Sequence, residues 1–283
     1  MFSRSTAGRT GGPVRNDRVR RLTRWSGYVI APVLLAAFLS LYFFPGHTEE
    51  YFAWPIVPEL TSIVMGAGYG AGAYFFYRVV TVDRWHRVHV LFPGIAVFTL
   101  AMAVATVRHW EAFTVGHPST WLWVGLYVVT PVLIPLLWWY NGRIDDGSTL
   151  DGRIIPLPIR FICAAVGAML TIALVALFTM PEFMIDRWSW SLSPLTARVL
   201  VGWGLVFAVV NVAVAFERRW TAATIPIESL VIWFTLVLIG FPRRWGDLDP
   251  DNPLLWLLVG GIVAYLVGLI ALYLAMERYH IQG

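Results

Sequence analysis

Four polar residues stand inside or at the mouth of long apolar stretches: Glu59, Arg198, Asn211 and Glu228. A polar or charged group in hydrocarbon is expensive, so residues of this kind are kept for pairing, for an ion or substrate path, or for proton transfer. Asn211 and Glu228 lie at similar depths in the sixth and seventh apolar runs, and that placement predicts an amide–carboxyl hydrogen bond between them. Asn211 shares a helix face with Gly204 and Glu228 with Thr235, each pair separated by about two turns. The corresponding positions in the first half of the chain are Phe75 or Phe76 and Phe92 or Pro93. Polarity confined to one half favours a site, or a proton-linked carboxyl, over generic helix glue. Glu59 and Arg198 open the second and sixth runs and are expected to meet as a clamp or a gate.

A second group is basic. Arg108-His109 and Arg243-Arg244 end the third and seventh runs, each dipeptide immediately ahead of a Trp. Such side chains can snorkel to headgroup phosphates or bind an anionic substrate or lipid headgroup.

Other chemistries find no support. The chain has no lysine, which excludes Schiff-base and pyridoxal-phosphate linkage and phosphate loops built on a Lys amine. Its single Cys163 can form no internal disulfide and no Cys-based metal site. The six histidines offer no pair at one level on two spans, as haem ligation would want, and no His-Glu-x-x-His for zinc. No Gly-x-Ser-x-Gly is present, and Asp145, Asp146 and Asp151 lie in Asp-Gly turn chemistry. No catalytic residue, metal or cofactor is assigned, and enzyme function is the less favoured reading.

The elements that must position these residues are membrane spans. A mean hydropathy of +0.67 with 58% apolar and 13% charged residues departs from soluble domains, which carry about 25% charge. Apolar runs of about 20 residues match a hydrocarbon core of about 30 Å. They fall at 25–44, 60–80, 88–107, 121–140, 161–180, 196–216, 222–241 and 254–276, with Pro226 and Glu228 interrupting the start of the seventh.

The halves resemble each other at an offset of about 135 residues. Trp54, Pro58, Gly66 and Gly68 recur as Trp190, Pro194, Gly202 and Gly204, and Phe98-Thr99-Leu100 as Phe234-Thr235-Leu236. An offset smaller by one pairs Trp85 with Trp220, Trp110 with Trp245 and Trp121 with Trp256. Ordered recurrence at fixed spacing marks an internal repeat. The expected fold is therefore all-α and polytopic: about eight transmembrane helices as two tandem four-helix repeats about a pseudo-twofold along the membrane normal. The division is a disordered basic N-terminus over 1–24, a first repeat over 25–140, a linker over 141–158 and a second repeat over 159–283. In the second run Gly66, Gly68, Gly70 and Gly72 have small-xxx-small spacing for close helix contact.

Charge sets the orientation. In an eight-span arrangement sixteen of the 21 basic residues fall on one side, seven of them between Arg4 and Arg24, and five on the other. Basic residues collect on cytoplasmic loops, which places both termini in the cytoplasm and the protein in a plasma (inner) membrane. The net charge of +4 then reflects topology and anionic lipid rather than nucleic acid. The leading functional reading is a permease-like protein or transport-system membrane subunit handling a small molecule or lipid. The alternative is a noncatalytic scaffold or assembly subunit of a larger membrane complex, and a third is a membrane enzyme on lipid substrates. The partners expected are the bilayer, with a membrane-complex partner or a second copy of the chain.

Overall fold

The computed structural model describes residues 17–143, 145 and 153–278, and these are almost wholly helical, with two isolated β-bridges. Eight long helices carry the chain: α1 (Arg21–Phe43), α2 (Glu59–Thr81), α3 (Phe92–Arg108), α4 (Pro118–Gly142), α5 (Leu157–Thr179), α6 (Pro194–Phe216), α7 (Trp220–Arg243) and α8 (Pro253–Arg278). Each coincides with one of the expected apolar stretches. Pro226 leaves one carbonyl without its helical donor, yet α7 continues through it.

Seven of these helices have the length and apolarity to cross a membrane, consistent with a polytopic membrane protein; α2 has the length but not the apolarity. Its composition follows from its place. Fourteen of its 23 residues are buried, whereas α5 buries only Gly167. A helix surrounded by other helices can carry Gly, Ser and Tyr, while one facing lipid must be apolar almost all round.

Packing does not follow chain order. Helix α1 lies along α2 and α5 along α6, while α3 packs on α6 and α4, and α7 on α2 and α8. Consecutive α6 and α7 touch only sparsely. The third helix of each half thus crosses to the second helix of the other. Glycines permit the close approaches. A Cβ on Gly66 would meet the backbone N of Tyr42 at 2.8 Å, and one on Gly68 would meet the Trp203 ring at 2.8 Å. Gly70 lies against the Phe38 ring, so the α2 glycines serve α1 on one side and α6 on the other.

The same connections are made twice. At the arginine-rich end Val19 N–H donates to Asp83 O (2.9 Å) and Trp85 N–H to Asp17 O (2.9 Å). Ile155 N–H donates likewise to Arg218 O (2.8 Å) and Trp220 N–H to Arg153 O (3.1 Å). At the opposite end Thr114 N–H reaches Ala53 O (2.9 Å), and Asp249 N–H reaches Ser189 O (2.8 Å). Trp121 Nε1 donates to Val115 O (3.1 Å), and Trp256 Nε1 to Pro250 O (3.0 Å). Every one of these pairs is separated in sequence by 135 or 136.

Of the N-terminal segment expected to be disordered, residues 1–16 lie outside the described residues and 17–24 are built into the fold. Asp17 is buried against His86, and Arg20 N–H is held by Asn141 Oδ1 at 3.0 Å. Of the expected linker, residues 144 and 146–152 lie outside the described residues as well. Asp145, expected as a turn residue, pairs with Arg219 at 2.8 Å.

Candidate functional site

Glu228 stands two turns into α7, on the face that packs against α2. Its Oε2 lies 2.5 Å from Arg78 Nη1 and also accepts from the Tyr74 hydroxyl; Oε1 accepts from Tyr273 Oη of α8 at 3.4 Å. Tyr74 and Arg78 are four residues apart on α2 and so project from one face, with Arg78 Nη1 2.5 Å from Tyr74 Oη. The carboxyl on α7 is thus met by one cation and two hydroxyls from two other helices, α2 and α8. Both charges keep partial access, at 20% for Arg78 and 25% for Glu228.

The expected Asn211–Glu228 hydrogen bond does not form. Asn211 Nδ2 donates to Phe207 O of its own helix at 2.8 Å. Its side chain lines a small space with Cys163 and Tyr265, among α5, α6, α7 and α8. The reason lies in the packing order: α7 presents Glu228 to α2, not to its sequence neighbour α6.

Glu228 and Tyr273 also line a groove of about 280 Å³ between α7 and α8. Its other walls are Ile227, Val231, Ile270 and Leu274. A separate cavity of about 90 Å³ lies deeper among α1, α2, α3, α4, α6 and α7. Phe75, Phe98, Tyr127, Trp203 and Trp233 are among the residues around it, and the Tyr69 and Tyr127 hydroxyls there satisfy each other at 3.0 Å. The groove therefore offers charge beside an apolar wall, and the deeper cavity is aromatic.

At the opposite end the expected Glu59–Arg198 pair is replaced by two others. Glu59 pairs with Arg244, and Arg198 Nη1 lies 2.8 Å from His109 Nε2. The crossing of α3 and α7 dictates this. The start of α2 meets the end of α7, and the start of α6 meets the end of α3. The two ends differ in charge compensation. At the α2/α7 end Glu59 answers Arg244, Leu60 N–H donates to Asp247 Oδ2 at 2.9 Å, and Arg243 stacks over the Tyr42 ring at 4.8 Å. At the α6/α3 end Arg198 is 3% exposed, and its bonds run to the carbonyls of Phe178 (3.1 Å) and Pro194 (3.3 Å) and to His109. His109 is held below the usual histidine value by burial and by Arg198 and Arg108, against a smaller opposing pull from Glu111.

Sequence reasoning missed Arg78, Tyr74 and Tyr273 as members of the site. The i, i+4 spacing of Tyr74 and Arg78 within α2 was the available signal, but Arg78 reads equally as a topology-setting loop residue. It missed the polar clasp at the arginine-rich end too. There His86 Nδ1 meets Asp17 Oδ2 at 2.5 Å and His86 Nε2 lies 3.1 Å from Thr221 Oγ1. Beside them Arg219 binds Asp145 through both guanidinium nitrogens (2.8 and 2.9 Å) and also Glu217 (2.8 Å). His89 Nε2 lies 3.1 Å from Glu217. With both ring nitrogens of His86 engaged, this cluster has the partners of a structural joint.

No family model, curated protein or solved structure matches the chain. A functional reading therefore rests on the geometry. Among the described residues no three His, Cys, Asp or Glu side chains gather as a metal-ligand set.

Proposed function

We propose that this chain is a permease-like membrane subunit that handles a lipid-like amphiphile, built from two copies of a four-helix unit. The doubled hydrogen bonds and the exchange of α3 and α7 between halves support duplication about a pseudo-twofold. They also support counting α2 as an eighth span, since its counterpart α6 has the apolarity that α2 lacks. The gathering of arginines at one end supports cytoplasmic termini in a plasma membrane.

The observation that carries the functional reading is the Arg78–Glu228–Tyr273 cluster opening onto an apolar groove between α7 and α8. A hydrated ion would lose its shell in the aromatic interior. An amphiphile entering from the inner leaflet would keep its chain on Ile227, Val231, Ile270 and Leu274 and its polar group beside Glu228 and Tyr273. Reconstitution into vesicles containing fluorescently labelled phosphatidylglycerol, with chemical quenching of the outward-facing label, tests this. Faster exchange between leaflets than in protein-free vesicles, slowed by Glu228→Gln, is the expected result. Equal rates with and without protein would count against handling. They would favour the scaffold reading, to which α5 lends its almost wholly outward-facing surface.

A further inference from the structure

We propose that the α6/α3 end of the bundle binds an anionic phosphate group through Arg198, Arg108 and His109. Arg198 is a cation at 3% exposure with no carboxylate within ion-pair distance among the described residues. Buried charges are normally paired, because desolvation of a lone ion exceeds what neutral hydrogen bonds return. The carbonyls of Phe178 and Pro194 fix the guanidinium through Nε and Nη1 and leave Nη2 without an acceptor among the described residues. Arg198 is the fifth residue of α6, just past its first turn, where the N-terminal end of the helix dipole still adds positive potential. The exposed Arg108 has no hydrogen-bond or ion-pair partner among the described residues and acts electrostatically on both Arg198 and His109. Two carboxylates lie in the neighbourhood. Glu111 reaches only 4.0 Å from His109 Nδ1 and is 79% exposed, and the exposed Glu182 acts on Arg198 without pairing with it.

The α2/α7 end supplies an internal control. It carries Arg243 and Arg244, but Glu59 pairs with Arg244 and the Tyr42 ring lies under Arg243. One end is closed by Glu59, and the other leaves Arg198 Nη2 and the Arg108 guanidinium open. A guanidinium pair presents the planar donors that suit phosphate oxygens. The chemistry fits a phospholipid headgroup at the membrane surface and a free phosphate ion alike.

The test uses the full chain in mild detergent. Melting temperature is followed with inorganic phosphate against chloride at constant ionic strength, and native mass spectrometry is run with phosphatidylglycerol against diacylglycerol, which lacks the phosphate. Stabilisation by phosphate, or selective retention of phosphatidylglycerol, supports the site; phosphate alone points to the free ion, and the lipid alone to a headgroup. Affinity should fall about tenfold in Arg108→Gln, the loss of one charge-assisted contact, and should hold in Arg244→Gln. Arg198→Gln should abolish binding. Because that buried position can affect folding, the exposed Arg108→Gln decides. Equal responses to phosphate and chloride together with equal retention of the two lipids, or binding unchanged in Arg108→Gln, would overturn the proposal.

Discussion

Glu228 Oε2 lies 2.5 Å from Arg78 Nη1, joining α7 to α2 across 150 residues of sequence. The pair keeps two charged side chains near the hydrocarbon without leaving either alone. Removing one partner of a partly buried pair strands the other and costs about 1–3 kcal/mol, between the exposed and fully buried cases, whereas removing both often costs little. Glu228→Leu should therefore lower the melting temperature, and adding Arg78→Leu should recover most of the loss. A double-mutant cycle by thermal unfolding measures the coupling. Additive losses would show that the two residues contribute independently.

Glu228→Gln separates charge from packing. Gln retains an acceptor for Tyr74 and Tyr273 but not the ion pair, so the fold should survive while leaflet exchange slows. The comparison is informative only where the variant matches wild type in circular dichroism and elution volume. Full exchange by a folded Glu228→Gln protein would remove the carboxyl from the mechanism.

The clasp at the arginine-rich end makes a pH prediction. Burial raises the Glu217 carboxyl, but hydrogen bonds from His89 and Arg219 more than offset this and hold it far below the ordinary carboxylate range. A carboxyl depressed in the folded state stabilises the fold above its unfolded pKa of about 4.3. That contribution is lost as the pH falls below this value toward the folded one. The melting temperature should fall on acidification below about pH 4.3, and Glu217→Gln should be less stable at pH 7 with a shallower acid slope. An unchanged slope in the variant would assign the acid sensitivity elsewhere.

Gly167 tests the packing of α5 on α6. A Cβ there would meet Val212 N at 2.7 Å and Ala208 O at 2.8 Å, both backbone atoms that cannot rotate away. Gly167→Leu should cost about 1–3 kcal/mol as an overpacking change, read as a lower melting temperature. Gly260→Leu, where a Cβ meets nothing within 4 Å, should be near neutral. A similar loss at both positions would mean that helix propensity or lipid contact, not the α5–α6 approach, sets the effect.

Helix positions were legible in the sequence because each long apolar run has one physical solution in a bilayer. Which helices touch was not. Asn211 and Glu228 were expected to meet because they share a depth on consecutive spans, and Glu59 and Arg198 because they share a depth near a pseudo-axis. Depth is a one-dimensional coordinate, and it fixed neither azimuth nor partner. The exchange of α3 and α7 sends Glu228 to Arg78 and Arg198 to His109 instead. Arg78 itself was hidden by its position three residues before the end of α2, where an arginine reads as a loop residue facing water.

Occupancy of the α7/α8 groove tests the central claim most directly. A photoreactive amino acid placed at Ile270, irradiated in membranes and followed by mass spectrometry of the protein, reports what lies against that wall. The account predicts a lipid-like adduct at Ile270 that is lost when Ile227→Trp fills the groove, while the same label at Ile172 on α5 gives bulk-lipid adducts unaffected by that change. Identical adducts at both positions, in equal yield and insensitive to Ile227→Trp, would contradict it.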